Sequence, residues 1–397
     1  MKTSSKLKKI SIVTLLVLII CYIIYAFLRS LPALDPIVIS NRVNKLQVPP
    51  YSISWAQSGE QAIGVQGYGV LATSGAQQPV PIASIAKVMV ALAVMQSKPL
   101  ALNQQGPYIP ITAKDVLIYQ EDLADGQSVV ALQAGEKITE YQALEAMLLP
   151  SANNMATTLS SWAFGSLSGY LNFANNYAKN IGMENTYFGD ASGFMPNTTS
   201  TPSDLVKLGE LALQNPVIKK IVGEYSANLP VVGQVTNIDL FINPSMNSVL
   251  NGIKTGNTTQ AGGCFLYSAP FHNSNIVGVI LGATSLGNAL YAGPQVEKSA
   301  ASNIEINYPV KNNQVFGFYK LPWGGRVNVV AQQDLSVASS NGTQIPVNIT
   351  IKSIKNGKKA ANVGNVKFEF NHHIYNSPLI LVRSIPKPNL WWRLVHP

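Results

Sequence analysis

Cysteine and charged residues are both scarce in this sequence. Its 397 residues include only Cys21 and Cys264, so a disulfide framework cannot hold the fold together. Charged residues make up 12% of the chain, whereas about 25% is usual. A chain of this length can form two or three domains with a large buried core, and that core must supply the stability.

Arginine is missing from most of the chain, since none occurs between Arg42 and Arg326. Because the guanidinium group binds carboxylates through two parallel hydrogen bonds, any carboxylate bound by this stretch must lack that contact. The whole chain still carries a formal charge of +9, with much of the excess in the first residues and the last domain. A basic surface suits an anionic cell envelope, and no motif points to a nucleic-acid partner.

A long uncharged segment lies near the start of the chain. It runs for 19 residues from Ile10 to Leu28, after four lysines among the first nine residues. A bilayer-spanning helix needs ~20 apolar residues, and preceding lysines indicate a cytoplasmic start. We therefore expect a cytoplasmic basic tail over 1–9, a single-pass transmembrane anchor over 10–28, and the rest outside the cytoplasmic membrane. A cleaved signal peptide is the alternative, and lipidation at Cys21 a lesser one.

The remaining sequence predicts a linker and two folded domains. Residues 29–50 are loosely patterned and end in two prolines, which is typical of a linker. Strand patterns at both ends of 51–305 enclose mostly helical patterns, which predicts one α+β domain with a sheet completed by distant segments. Alternating patterns separated by Asn-Gly turns over 306–397 predict a small all-β sandwich.

One apolar helical pattern carries a hydroxyl and an amine near its beginning. Ser84 and Lys87 are three residues apart, so they share a helix face and the amine can reach the hydroxyl. A serine hydroxyl is a poor nucleophile until a base takes its proton, and a lysine kept neutral by burial is such a base. The same spacing recurs twice elsewhere in the chain, so spacing alone does not identify a site.

Two further motifs give this pair its context. Ser151-Ala152-Asn153 lies at a helix boundary, and Lys254-Thr255-Gly256 lies on a strand pattern. Ser-x-x-Lys, Ser-x-Asn and Lys-Thr-Gly in this order are a specific combination. The sequence resembles the penicillin-binding proteins and serine β-lactamases, and more closely the low-molecular-mass D-alanyl-D-alanine carboxypeptidases. This resemblance covers roughly 51–397 and implies a β-lactamase/transpeptidase-like domain, with an antiparallel sheet, helices on both faces and a helical lobe.

The resemblance also implies a role for each motif residue. Ser84 attacks the carbonyl of the terminal D-Ala-D-Ala bond, Lys87 is its base, and Lys254 lowers the Lys87 pKa and attracts the substrate carboxylate. Ser151 passes a proton to the leaving D-alanine, and Asn153 binds Lys87 or the substrate amide. Backbone N–H groups of Ser84 and Asn257 form the oxyanion hole. The implied catalytic residues are Ser84, Lys87, Ser151, Asn153 and Lys254, and the implied substrate-binding residues are Thr255, Gly256 and Asn257.

The implied ligands are peptidoglycan stem peptides and β-lactams, without a metal or cofactor, and the oligomeric state stays open. Relatives commonly use an arginine beyond the Lys-Thr-Gly strand to bind the substrate carboxylate, and this chain has none there. A DD-endopeptidase is therefore an alternative to a carboxypeptidase. A β-lactamase, with Glu224 activating water, and a non-catalytic envelope-binding protein of the same fold are further alternatives. The tail with Trp391 and Trp392 is expected at the membrane interface or packed on the β domain.

Overall fold

The computed structural model describes residues 2–39, 45–239 and 250–396. The chain forms two compact units, one over 50–305 and one that combines 1–49 with 306–397. We call them the catalytic unit and the anchor unit. The helices are α1 (Lys2–Leu28), α2 (Ala86–Ser97), α3 (Ala113–Ala124), α4 (Glu140–Leu148), α5 (Asn153–Phe164), α6 (Leu167–Asn180), α7 (Pro202–Gln214), α8 (Pro216–Val222), α9 (Leu286–Asn303) and α10 (Leu390–Val395).

The strands are β1 (Pro36–Val38), β2 (Glu60–Val65), β3 (Gly69–Ser74), β4 (Val80–Pro81), β5 (Tyr108–Pro110), β6 (Lys137–Thr139), β7 (Thr199–Ser200), β8 (Ser226–Leu229), β9 (Gly233–Thr236), β10 (Asn251–Thr258), β11 (Gly262–Phe271), β12 (Ser274–Ala283), β13 (Ile304–Val310), β14 (Val315–Lys320), β15 (Arg326–Ala331), β16 (Leu335–Ser340), β17 (Asn348–Ile351), β18 (Asn362–Phe370) and β19 (His373–Leu381).

The catalytic unit is built on an antiparallel five-stranded sheet in the order β10-β11-β12-β2-β3. Successive residues of β11 point to opposite faces of this sheet. Gly293 of α9 packs against Phe265 on one face, and Gly209 of α7 packs against Leu266 on the other. Helices therefore cover both faces, as the sequence predicts, and α+β is the correct class. The sheet joins strands from the two ends of the unit, with β10 at one edge.

Helix α2 runs through the centre of the catalytic unit. Every residue from Ala86 to Met95 is buried, so its continuous apolar pattern reflects burial on all sides rather than one apolar face. It packs against α5, α6 and α7, and α3 to α6 with their loops form the helical lobe. This packing fixes the start of α2, which carries Lys87 and directly follows the turn that carries Ser84.

The anchor unit differs from the expected arrangement in residues 29–50. We expected a linker, but β1 pairs with β14 at one edge of a six-stranded sheet, β1-β14-β15-β19-β18-β17. Leu34 is 2% exposed within the core of this unit, and its backbone exchanges two hydrogen bonds with Ile354. A three-residue edge strand has too few alternating positions to be recognised in a sequence. The segment is part of the C-terminal β unit, whose second, smaller sheet pairs β13 with β16.

The apolar segment near the start forms one continuous helix, and the C-terminal tail packs beside its end. Residues Lys9–Leu28 of α1 are long and apolar enough to cross a membrane, with a mean hydropathy of 2.8. Arg393 of α10 donates hydrogen bonds to the backbone oxygens of Ala26 and Phe27, which are in the last turn of α1. The Trp392 ring meets Trp323 of the β unit edge to face at 5.3 Å. Trp391 is 72% exposed, so the two neighbouring tryptophans have different surroundings.

Candidate active site

Ser84 lies in a single 3-10 turn, Ala83–Ile85, directly before α2. Its side chain is partly exposed, while both neighbours in the turn are buried. Two glycines make room for this turn. A Cβ on Gly256 of β10 would come within 2.9 Å of the Ser84 backbone nitrogen, and a Cβ on Gly193 would clash with the Ala83 carbonyl. The edge strand of the sheet therefore runs against the turn that carries the serine.

Lys87 extends from the first turn of α2 into a buried polar cluster. Its Nζ lies 2.7 Å from Ser84 Oγ and donates to Asn153 Oδ1 at 2.6 Å and to the Ser192 backbone oxygen at 3.3 Å. The last two groups are pure acceptors, so they take two N–H bonds of the amine. In a neutral lysine, the remaining lone pair can then face the Ser84 hydroxyl, which is the geometry of a general base.

The protonation of Lys87 is controlled by its surroundings. The side chain is fully buried, and burial, followed by the charge of Lys254, holds the Lys87 pKa well below its usual value. The carboxylates of Asp190, Asp122 and Asp239 act in the opposite direction. Burial and a neighbouring cation both disfavour a second positive charge, so the amine is poised to accept a proton.

Asn153 is held by a second polar contact. It begins α5, its Nδ2 donates to Gln127 Oε1 at 2.6 Å, and its backbone nitrogen donates to Ser128 O at 2.7 Å. Because the amide nitrogen is committed to Gln127, the amide oxygen is turned toward Lys87. Gln127 thus orients the acceptor that binds Lys87.

Ser151 joins the cluster from the loop before α5. Its Oγ lies 3.4 Å from Lys87 Nζ, and the residue is 2% exposed. Ser151 does not cap α5, because the residue before this helix is Ala152, which makes no side-chain cap bond. Ser151 instead has a φ of +66°, a left-handed conformation that is uncommon for serine. This backbone turn directs its hydroxyl to Lys87 rather than to the helix N-terminus.

Lys254 enters the site from β10 and is paired with an aspartate. Its ammonium lies 3.4 Å from both carboxylate oxygens of Asp239, and the two side chains are 0% and 2% exposed. Burial lowers the Lys254 pKa, and the Asp239 charge opposes that shift. The Asp239 carboxylate also accepts hydrogen bonds from the Thr255 backbone nitrogen, at 2.9 Å, and from the Thr255 hydroxyl.

The candidate substrate-binding residues lie on β10, which is an edge strand of the sheet among the residues that the structure describes. Asn257 lines a cleft of about 410 Å³ with Ser84, Asn153 and Gln127, whereas Thr255 is 2% exposed and bonded to Asp239. Gly256 is the point of closest approach to Ser84. An unpaired strand edge offers backbone N–H and C=O groups to an extended peptide, so a substrate can align along β10.

The loop over 189–201 is organised by Asp190. Its carboxylate accepts hydrogen bonds from the Ser192 hydroxyl at 2.7 Å and from the backbone nitrogens of Gly193 and Phe194 at 3.0 and 2.9 Å. These bonds hold the Ser192 carbonyl against Lys87. Asp190 therefore shapes the site from outside the reacting cluster.

Three contributors to the site were not predicted from the sequence: Gln127, the Ser192 carbonyl and Asp239. A backbone carbonyl has no sequence signature, and Gln127 lies in a polar loop without a motif. Asp239 precedes Lys254 by 15 positions, and only the fold brings it to β10. It is the only charged residue between Glu224 and Lys254 in the sequence. That isolation was the available signal, because a buried aspartate needs a partner. The β-lactamase candidate Glu224 instead accepts from the Tyr141 hydroxyl at 2.7 Å and pairs with Lys220.

Comparison with known proteins agrees with these motifs. A family model described as D-alanyl-D-alanine carboxypeptidase matches residues 61–285. The chain is 23% identical over 340 residues to the D-alanyl-D-alanine carboxypeptidase DacC of Escherichia coli, covering 82% of this chain and 83% of the relative. It is 28% identical over 235 residues to a D-alanyl-D-alanine endopeptidase of Pseudomonas aeruginosa, covering 57% of this chain and 71% of the relative.

A solved structure has the same fold across both units. The chain is similar to penicillin binding protein 5 from Haemophilus influenzae, with a TM-score of 0.65 and 17% sequence identity. The match covers 86% of this chain and 100% of that structure. At this identity the likeness establishes the fold, and the motifs and family match carry the chemistry.

Proposed function

Because the chain belongs to the D-alanyl-D-alanine carboxypeptidase family of serine hydrolases, we propose that Ser84 is the nucleophile that removes the terminal D-alanine from peptidoglycan stem peptides. The contact that carries this proposal is the one between Lys87 Nζ and Ser84 Oγ at 2.7 Å. The amine is buried, its pKa is lowered, and its other hydrogen-bonding directions are occupied by acceptors. These features suit a base that activates a hydroxyl.

The proposed reaction proceeds in two steps. Lys87 takes the Ser84 proton as Oγ bonds to the carbonyl carbon of the penultimate D-alanine, and backbone N–H groups of Ser84 and Asn257 stabilise the oxyanion. Breaking the C–N bond requires a proton on the leaving amine, which Ser151 relays from Lys87 because its Oγ is 3.4 Å from Nζ. Water then attacks the acyl-enzyme, with Lys87 again as base, and releases the shortened peptide and the serine. A β-lactam follows the first step and forms a covalent adduct.

A DD-endopeptidase is the second candidate. It is favoured because the groups that would bind a terminal substrate carboxylate already have a partner in the protein. Lys254 and Thr255, which would hold the terminal carboxylate, are already bonded to Asp239. The sequence of the catalytic unit contains no arginine that could supplement them. A terminal carboxylate therefore adds less binding energy here than a bidentate site would provide. The similarity to the P. aeruginosa endopeptidase supports testing this activity alongside carboxypeptidase activity.

The same proposal places the enzyme in the bacterial cytoplasmic membrane, with α1 as a single-pass anchor and the catalytic unit on the extracytoplasmic side. The lysines before the uncharged run and the apolar composition of Lys9–Leu28 support this orientation. We expect protease added to intact spheroplasts to degrade residues 50–397. Survival of that segment would contradict the orientation.

The test of the function is direct. Purified full-length protein is incubated with a stem pentapeptide and with a cross-linked peptide dimer, and the products are identified by mass spectrometry. We expect released D-alanine from the pentapeptide, with split dimer as the mark of endopeptidase activity. A fluorescent penicillin should label the wild-type protein and leave Ser84→Ala unlabelled. Equal labelling of the two proteins would disprove the assignment of Ser84.

A further inference from the structure

Asp239 is the one carboxylate in direct contact with the Lys-Thr-Gly motif among the described residues. We propose that Asp239 is a positioning residue of the active site: it keeps Lys254 charged and fixed beside Lys87, and it aligns Thr255. This inference rests on the proposed roles of Lys87 and Lys254. It assigns a role to a residue that lies outside all three sequence motifs.

The first support is the burial of the pair. Lys254 and Asp239 are 0% and 2% exposed in their side chains, so neither charge is stabilised by bulk water. Removing one partner of such a pair leaves the other as an uncompensated buried charge, and a buried lysine then loses its proton more easily. Lys254 can act as a cation at neutral pH only if a nearby anion compensates for burial. Asp239 is that anion.

The second support is that Asp239 is itself rigidly held. Its backbone nitrogen donates to Asn237 Oδ1 at 2.9 Å, and the Asn237 side-chain nitrogen donates to the backbone oxygens of Val222 and Glu224 at 3.1 and 2.9 Å. Asn237 is 1% exposed. The end of α8 thus fixes the loop that presents Asp239. A carboxylate anchored in this way can orient its partners as well as neutralise them.

The third support comes from Gly252 at the start of β10. A Cβ on this residue would lie 2.5 Å from Asp239 Cβ and 3.0 Å from the Asp239 backbone oxygen. Real side chains do not approach so closely, so glycine at this position lets Asp239 reach the Lys-Thr-Gly strand. The absence of a side chain at Gly252 therefore leaves the space that the Asp239 carboxylate needs to reach Lys254.

The charges around the two lysines determine how pH should affect the reaction. Lys87 must be neutral to act as a base, so the acylation rate should rise as pH passes the Lys87 pKa, which is the acid limb of the pH profile. Lys254 must be charged, so the rate should fall as pH passes the Lys254 pKa, which is the alkaline limb. Burial lowers the pKa of both amines. Among charged groups, Lys254, Asp190, Asp122 and Asp239 act on the Lys87 pKa, and Asp239 acts on the Lys254 pKa. A negative charge raises the pKa of a nearby amine, so removing Asp239 lowers both pKa values, and that of Lys254 more.

The experiment measures the second-order rate of acylation by a fluorescent penicillin across pH in full-length protein. In Asp239→Asn we expect the alkaline limb to move to lower pH by about one unit or more, with a smaller acid-side shift in the same direction. Asp239→Glu restores the charge and should move the alkaline limb back toward its wild-type position. Asp204→Asn is the matched control, because it removes a buried carboxylate paired with Lys207, 3.1 Å away, outside the site.

Gly252→Ala provides a second, independent test, because it displaces the Asp239 carboxylate without removing its charge. We expect slower acylation and a smaller shift of the alkaline limb in the same direction. If either folded variant acylates with the wild-type pH profile, Asp239 has only a structural role and the proposal is overturned. The proposal is also overturned if Asp204→Asn shifts the alkaline limb of the pH profile as far as Asp239→Asn does. Failure of the underlying function is distinguishable, because it appears as undiminished labelling of Ser84→Ala.

Discussion

Lysine has opposite surroundings in the two units of this protein. Residues 50–305 contain ten lysines, no arginine and 16 acidic residues, whereas the anchor unit contains 18 basic and three acidic residues. Yet the two lysines that are fully buried among the described residues, Lys87 and Lys254, both belong to the acidic catalytic unit. In the anchor unit, every described lysine side chain is exposed, and the described arginines are exposed or partly so.

The difference shows that the net charge of a unit does not indicate where its buried charged groups lie. Burial changes the pKa of a lysine, and the proposed reaction uses the two lysines whose pKa values burial lowers. Exposed cations keep their charge, and together they contribute to the electrostatic potential around the molecule. We therefore expect substitutions of the buried lysines to change reaction rates and substitutions of exposed lysines in the anchor unit to change surface association.

The largest expected effect is that of Lys87→Ala. Loss of the general base should lower the acylation rate by a factor on the order of 10³. Lys98→Ala is the matched control, because Lys98 directly follows α2 but is exposed. Stopped-flow labelling with a fluorescent penicillin provides the measurement. A similar loss in both variants would mean that the comparison between buried and exposed lysines does not hold.

The second prediction concerns the extent of the anchor unit. Leu34→Ala should destabilise it by about 3 kcal/mol, because a buried leucine leaves a cavity, and Leu34 is 2% exposed. Leu46→Ala should be nearly neutral, because Leu46 is 46% exposed in the same sequence segment. Chemical denaturation followed by tryptophan fluorescence can compare the two, since Trp323, Trp391 and Trp392 report on this unit. Equal free energies of unfolding for the two variants would mean that residues 29–50 behave as a linker rather than as part of this unit.

The third prediction concerns exposed charge in the anchor unit. Lys355, Lys358 and Lys359 lie together in the exposed segment before β18. Replacing all three with glutamine should weaken binding to vesicles of anionic phospholipid by one to two orders of magnitude at low salt, given about 1 kcal/mol per lysine near such a surface. A sedimentation assay with the chain lacking residues 1–28 measures this binding.

The control for the vesicle experiment is a triple substitution in the catalytic unit. Lys114, Lys179 and Lys219 are also exposed, so Lys→Gln changes there remove the same total charge. We expect this variant to bind vesicles nearly as well as the wild type. Equal weakening of both variants would show that only the net charge of the chain matters, not the unit that carries it.

The sequence predicted the parts of the site that carry local motifs. Ser84 and Lys87 are close in the chain, and in the structure Lys87 Nζ contacts the side chains of Ser84, Ser151 and Asn153. Lys254 is near enough for its charge to lower the Lys87 pKa. The α+β class followed from strand patterns at both ends of a helical stretch. These features depend on residue type and spacing, which a sequence displays directly.

The remaining features depend on contacts between distant segments. Asp239 reaches Lys254 only because the end of α8 and the glycine at 252 position its loop, and β1 is recognisable only by its pairing with β14. The left-handed turn at Ser151 likewise has no signature, since serine rarely adopts it and is a common helix cap. In each case tertiary contacts outweigh the local preference of the residue.

The smallest expected effect tests the balance of charge around Lys87 itself. Burial, with the nearby Asp125 and Glu121, raises the Asp122 pKa from 3.8 to about 6, and Asp122 lies in the last turn of α3, where negative charge is unfavourable. Because its folded pKa is raised, the stability contributed by its neutral form is present below about pH 4 and is lost as pH rises to about 6.

Above that range the Asp122 charge favours the protonated form of Lys87. Asp122→Asn should therefore move the acid limb of acylation to lower pH by a few tenths of a unit. Glu136→Gln, which removes a partly exposed carboxylate elsewhere in the unit, should leave the limb in place. A shift toward higher pH in Asp122→Asn would contradict the sign of this interaction. It would also mean that the surrounding carboxylates do not raise the Lys87 pKa, and that burial and Lys254 alone determine it.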